Sequence, residues 1–276
     1  MAAPAVILAD TTSGIPEVSE AFHTIETQLR SRRPDLNIHF LELGARPTLD
    51  AVLPRLLDEQ VEEAVLVPLD LRSATSYASE LDDAAGAMEA AGIRAVVSRP
   101  IGPASELLNI LDELVRDALQ RRSALELDGL VLVGRIGGDA RGSALLARRA
   151  RQWSAHHRLP VQLAIEEGDG AATAAALHAL RSQGRRYIAV GGAFFSPGPS
   201  YRAHALAAQQ AGAIAVTAPI SGSRHLSQLI LARYAFGAME LLDGSPQPVT
   251  VDDDYHFLSP VVPHCQVPAK LGLCLR

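Results

Sequence analysis

Ala64-Val65-Leu66-Val67-Pro68-Leu69 is an unbroken apolar run that ends on an acid, Asp70. It is too short for a buried helix and shows no polar alternation, so it reads as a strand covered on both faces. Working outward, Ile38-His39-Phe40-Leu41-Glu42-Leu43 and residues 5–9 and 94–98 are equally short and rich in Val, Ile and Leu. Between these runs the apolar residues recur at helical spacing. Val18, Phe22, Ile25 and Leu29 form one stripe, Leu49, Val52, Leu53, Leu56 and Leu57 a second, and Leu107, Leu108, Leu111, Leu114, Val115 and Leu119 a third. Pro16 suits the first turn of the first helix, and Thr48 is the expected N-cap of the second. Strands that alternate with helices in this way predict a parallel α/β sheet.

The series then repeats. Residues 130–133, 161–165, 187–190 and 214–217 are strand-like, with helical patterns between them that end over 226–242. Leu8 and Leu132, Glu42 and Glu166, Leu53 and Leu177, Leu56 and Leu180, and Ser76-Tyr77 and Ser200-Tyr201 are all 124 residues apart. The offset shrinks later, where Ala91-Gly92 matches Ala211-Gly212 and Pro100-Ile101 matches Pro219-Ile220, as a short deletion would cause. A sustained offset predicts a duplicated unit. The expected organisation is one domain over residues 1–122, a similar one over 123–243, and a loop-rich tail over 244–276.

A chain of 276 residues, 48% hydrophobic, builds a sizeable core. Its net charge of −6 argues against a nucleic-acid surface. All but one of its 25 basic residues are arginine, the exception being Lys270. Cys265 and Cys274 both fall in the tail, which excludes a disulfide framework for the core. No apolar run is long enough to span a bilayer, and the start reads as a first strand rather than a signal peptide, so a cytoplasmic location is expected.

In parallel sheets ligands bind at the carboxyl ends of the strands. The residues there are Asp10-Thr11-Thr12-Ser13-Gly14, Glu42 and the 70–76 segment in the first half. In the second they are Gly134-Arg135-Ile136-Gly137-Gly138-Asp139, Glu166-Glu167 and the 195–200 segment. Gly134-x-x-Gly137-Gly138 lacks the Lys-Ser/Thr of a P-loop and reads as a glycine-rich turn. No zinc, nucleophile-elbow or redox motif is present.

Certain residues at these ends carry a resemblance. They are Ile7-Leu8-Ala9, Phe40-Leu41-Glu42-Leu43 followed by Pro47-x-Leu49, Val65-x-Val67-Pro68-Leu69, and Pro100-Ile101-Gly102-Pro103. In that order and spacing, over about residues 4 to 243, the chain resembles the class II chelatases of the sirohydrochlorin and cobalt chelatase type. The resemblance implies two chelatase-like α/β domains, each a four-stranded parallel sheet flanked by helices. It implies insertion of a divalent metal, Co or Fe, into a carboxylated tetrapyrrole in cobalamin or siroheme biosynthesis. The metal is a substrate and no organic cofactor is expected.

The chain departs from the family where the metal is held. The family ends its first strand with His-Gly-Ser/Thr-Arg and has a second His after the third strand. Here Asp10 and Ser76 stand at those positions, while the family's glutamate is matched by Glu42. In the second half the matching residues are Gly134, Glu166 and Ser200. Metal insertion needs a loose metal site, a base and a clamp for the macrocycle's carboxylates. Asp10 and Glu42 are the candidate catalytic and metal residues. Arg46, Arg72, Arg135 and Arg202, with Ser76 and Ser200, are the candidate substrate contacts, since arginine forks bind carboxylates. Glu166 reads as a helix cap or ion-pair residue. His204 follows the second Ser-Tyr loop, within reach of the cleft, and reads first as a surface helix position. His156 and His157 read as ordinary helix residues, and His225 as near the same sheet edge. His256, His264, Cys265 and Cys274 match no standard zinc spacing. The expected partner is a tetrapyrrole, with no nucleic acid and no membrane, bound by a monomer of two pseudo-equivalent halves. The alternative is a non-catalytic relative that binds tetrapyrrole or metal, or serves as a partner subunit.

Overall fold

The computed structural model describes residues 3–10, 16–43, 46–124, 126–135 and 139–243. The first half runs β1 (Ala5–Asp10), α1 (Pro16–Arg32), β2 (Ile38–Glu42), α2 (Arg46–Asp58), β3 (Glu63–Pro68), α3 (Glu80–Ala90), β4 (Arg94–Val97) and α4 (Glu106–Arg121). The second runs β5 (Gly129–Gly134), α5 (Ala140–His157), β6 (Val161–Ile165), α6 (Ala171–Ser182), β7 (Ile188–Gly192), α7 (Pro199–Gln210), β8 (Ala215–Val216), a 3-10 turn (Ile220–Gly222) and α8 (Arg224–Asp243). Two four-stranded sheets result, ordered β2-β1-β3-β4 and β6-β5-β7-β8, and every strand pair is parallel. No helix among the described residues is long and apolar enough to cross a membrane.

The apolar runs become strands because both their faces are covered. Val6 and Leu8 enter one buried cluster, while Ala5, Ile7 and Ala9 enter another on the opposite face. The stripe Val18, Phe22, Ile25 and Leu29 of α1 is buried, as are Leu107, Leu108, Leu111, Leu114 and Val115 of α4. Two local expectations fail. Helix α2 begins at Arg46, with Pro47 in its first turn, so Thr48 lies inside the helix instead of capping it. Leu57 is 48% exposed, because Val52 and Leu56 already fill that helix's buried stripe.

The last helix of each half packs on the sheet of the other half. Helix α4 lies on β7 and β8, while α8 lies on β3 and β4. The approach of α8 is close enough that a Cβ on Gly237 would sit 2.6 Å from a methyl of Val65. Tyr234 donates its hydroxyl to the Pro4 carbonyl at 2.8 Å, and the Arg233 Nε donates to the Pro100 carbonyl at 3.1 Å. From the second half, the buried Arg149 of α5 donates Nε to the Pro103 carbonyl at 2.9 Å. One buried cluster accordingly contains residues of α1, α4, α5 and α8 together. The repeat read in the sequence divides near residue 122, but the core runs through that division.

Candidate active site in the cleft between the sheets

In a sheet ordered β2-β1-β3-β4 the chain moves to one side of β1 for β2 and to the other for β3. The carboxyl ends of β1 and β3 therefore flank the switch point where ligands bind. The second sheet has its switch point between β5 and β7. One cleft is lined from both: by Asp10 and the Leu69–Arg72 segment on one side, and by Gly134, Arg135, Phe194, Phe195, Ser200 and Tyr201 on the other. The cleft is open to solvent and its volume is about 130 Å³. Enclosed ligand sites typically offer roughly 300–1,000 Å³.

Asp10 ends β1, is buried, and is in register with Glu42 at the end of β2. Adjacent strands run about 4.8 Å apart, and residues in register on parallel strands share a face. The alternation agrees: Val6 and Leu8 share a cluster with Ile38 and Phe40, so Asp10 and Glu42 extend that same face. Arg72 is fixed at the cleft wall by the turn that follows β3. The Asp70 carboxylate accepts from the Arg72 backbone N–H at 2.8 Å, from its Nε at 3.0 Å and from the Ser73 hydroxyl at 3.0 Å. Arg135 is exposed and lines the cleft with Ser200. Arg202 is exposed on α7, donates to the Pro197 carbonyl at 3.1 Å, and is not among the cleft-lining residues. The side chain of Arg46 lies outside the described residues, as do Thr11-Thr12-Ser13-Gly14, Ile136-Gly137-Gly138 and the four tail residues His256, His264, Cys265 and Cys274.

Ser76 is engaged elsewhere. Its N–H, at 3.0 Å, and its hydroxyl, at 3.2 Å, donate to Asp139 at the start of α5. The same carboxylate accepts from the Thr75 N–H at 2.9 Å, the Thr75 hydroxyl at 2.8 Å and the Ala74 N–H at 3.2 Å, and caps α5 through the Gly142 N–H at 2.5 Å. Burial pushes the Asp139 carboxyl up, but donors from Gly142, Ser76 and Thr75 outweigh it and hold the group well below the usual carboxylate range. A Cβ on Gly142 would overlap the Arg72 carbonyl oxygen, so only glycine lets the two halves meet here. Asp139 thus latches the loop after β3 to the opposite half. The sequence offered one signal for this: an N-cap residue type directly before a helical pattern.

The second half does not copy the first. Glu166 is buried and accepts from the Gly170 N–H at 3.0 Å, the Thr173 N–H at 2.8 Å and the Thr173 hydroxyl, so it caps α6. His204, expected at the surface, is completely buried. Its Nδ1 lies 3.1 Å from the Thr173 oxygen, whose proton goes to Glu166, so Nδ1 carries the ring proton. Its Nε2 is buried with no hydrogen-bond partner, and the ring stacks on Phe194 at 4.9 Å. Burial lowers the His204 pKa to about 4 against a smaller upward pull from Glu166. His225 pairs with Glu113 of α4 at 2.8 Å, away from the cleft. No histidine is among the residues described as lining the cleft.

No curated protein matches the chain in sequence. In fold it is similar to SirB from Bacillus subtilis, solved with Fe³⁺, at 14% identity and a TM-score of 0.65, over 87% of this chain and 98% of that one. It is also similar to CbiX, described as the terminal enzyme for siroheme biosynthesis in denitrifying bacteria, at 16% identity and a TM-score of 0.57, over 83% and 98%. A multi-domain Deinococcus radiodurans protein with structural similarity to chelatases matches at 18% identity and a TM-score of 0.62 over 86% of this chain. This chain spans 56% of that protein's length. At these identities the likeness is one of fold. In sequence, residues 5–118 match the CbiX family, and the chain as a whole shares the fold of these chelatase structures.

Proposed function

We propose that the cleft binds a carboxylated tetrapyrrole and that Asp10 and Glu42 hold a divalent metal, Co or Fe, for insertion into it. The observation that carries this reading is the register of Asp10 with Glu42 on one face of the sheet, beside a cleft walled by Arg72 and Arg135. The arginines would clamp carboxylates at the rim of a flat macrocycle lying across the mouth, while Phe194, Phe195 and Tyr201 offer it apolar surface. Two carboxylates bind first-row ions less firmly than imidazoles do, which suits an ion that must be handed on. They would also accept the pyrrole protons. The similar strand orders, with the 124-residue offset shared by the earlier matches, support a duplicated unit in which the first half keeps the reacting groups.

The test is anaerobic incubation of protein, sirohydrochlorin and Co²⁺, with absorbance followed against a protein-free control. Insertion should exceed the control, and Glu42→Gln should return it to the control rate. By calorimetry, weak Co²⁺ binding in the cleft should disappear in the same variant. A second reading, tetrapyrrole binding without insertion, is favoured by the absence of histidine among the described cleft-lining residues. It predicts macrocycle binding with insertion no faster than the control.

A further inference from the structure

We propose that Asp112, His156 and His157 form a site for one first-row divalent transition ion, separate from the cleft. One ligand atom from each residue lies within 4.8 Å of the other two. The His157 Nε2 is 2.8 Å from Asp112 Oδ1, and the His156 Nε2 is 3.9 Å from Oδ2. Two ligand atoms each about 2.1 Å from an ion lie about 3.0 Å apart at a right angle and about 3.4 Å apart at the tetrahedral angle. The observed spacings bracket these values, so small side-chain rotations complete the site.

The donor set decides the ion class. Two imidazole nitrogens and one carboxylate oxygen suit Zn²⁺, Co²⁺, Ni²⁺ or Fe²⁺ and disfavour Mg²⁺ and Ca²⁺, which take oxygen. The carboxylate is held in place from behind. The indole N–H of the fully buried Trp153 donates to Asp112 Oδ1 at 2.5 Å, the kind of outer contact that orients metal ligands. Access is from solvent, since the His156 side chain is 52% exposed and those of His157 and Asp112 are 25% and 17% exposed.

The position gives the ion a role. Asp112 belongs to α4 of the first half, while both histidines end α5 of the second. Helix α5 starts at the cleft edge beside Asp139, and its length carries the histidines roughly 27 Å away at 1.5 Å per residue. An ion here therefore bolts the two halves together at the end opposite the cleft, and stabilises the protein by mass action. The site does not depend on the function proposed for the cleft.

Calorimetry and Co²⁺ visible absorption test this in the full chain carrying Glu42→Gln, which removes the proposed cleft ion. One equivalent of Co²⁺ should bind, with ligand-field bands, and saturating Co²⁺ or Zn²⁺ should raise the melting temperature while Mg²⁺ does not. His156→Ala, at an exposed position, and His157→Ala should each weaken this equivalent at least tenfold and abolish the metal-dependent thermal shift. An unchanged equivalent in both histidine variants would overturn the proposal and move the ion elsewhere, to the His256–Cys274 region first. Absence of any binding would overturn it outright.

Discussion

Replacing Asp139 by alanine should lower stability by about 2–3 kcal/mol, or roughly 4–6 °C in melting temperature. The carboxylate caps α5 and gathers the donors of Ala74, Thr75 and Ser76 from the opposite half. Loss of a cap costs about 1 kcal/mol, and loss of bonds to a charged group costs more. The cost stays below the sum of the individual bonds because Thr75 and Ser76 are exposed and water replaces part of what they lose. The pH dependence has a definite sign. The folded-state pKa of Asp139 is depressed, so its contribution is complete above the unfolded value near 4 and fades as pH falls toward the folded value. Denaturant melts of wild type and Asp139→Ala should differ most at neutral pH and converge in strong acid. Equal stability of the two proteins at pH 7 would remove the latch from the account.

His204 should make the protein acid-labile in a separate window. Its folded pKa of about 4 lies below the ordinary 6.5, so between those values the unfolded chain binds more protons than the folded one. Stability is then full above pH 6.5 and falls by roughly 3 kcal/mol as pH drops to 4, at 1.36 kcal/mol per unit. His204→Leu removes the titration at a cost of about 1 kcal/mol for the lost bond to Thr173. The variant should be somewhat less stable than wild type at pH 7 and more stable at pH 4.5. A wild-type profile as flat as the variant's over this range would contradict the burial of a neutral imidazole.

The strands were legible because each is a continuous apolar run, and the stripes of α1 and α4 because their spacing is helical. Such a stripe says that a helix is buried but not against what. Nothing in the α4 stripe distinguishes its own sheet from the β7–β8 face on which it lies. The strand-end rule identified the edge that carries the cleft, and Asp10, Arg72, Arg135 and Ser200 line it. It missed what depends on the meeting of the halves. Asp139 lies far in sequence from the loop it holds, and Ser76, matched by spacing to Ser200, is used by that latch instead. His204 was misread because its helix, rich in alanine with a single buried polar ring, has too weak an apolar stripe to show which face is inside.

The most direct measurement of the central claim is a titration of the protein with sirohydrochlorin followed by the change in macrocycle fluorescence, for wild type and Arg72→Ala. The cleft reading predicts saturable quenching at micromolar or lower concentration in wild type. It predicts binding weakened about tenfold or more in the variant, the loss of one charge-assisted carboxylate contact. Absence of binding, or binding of equal strength in both proteins, would contradict it.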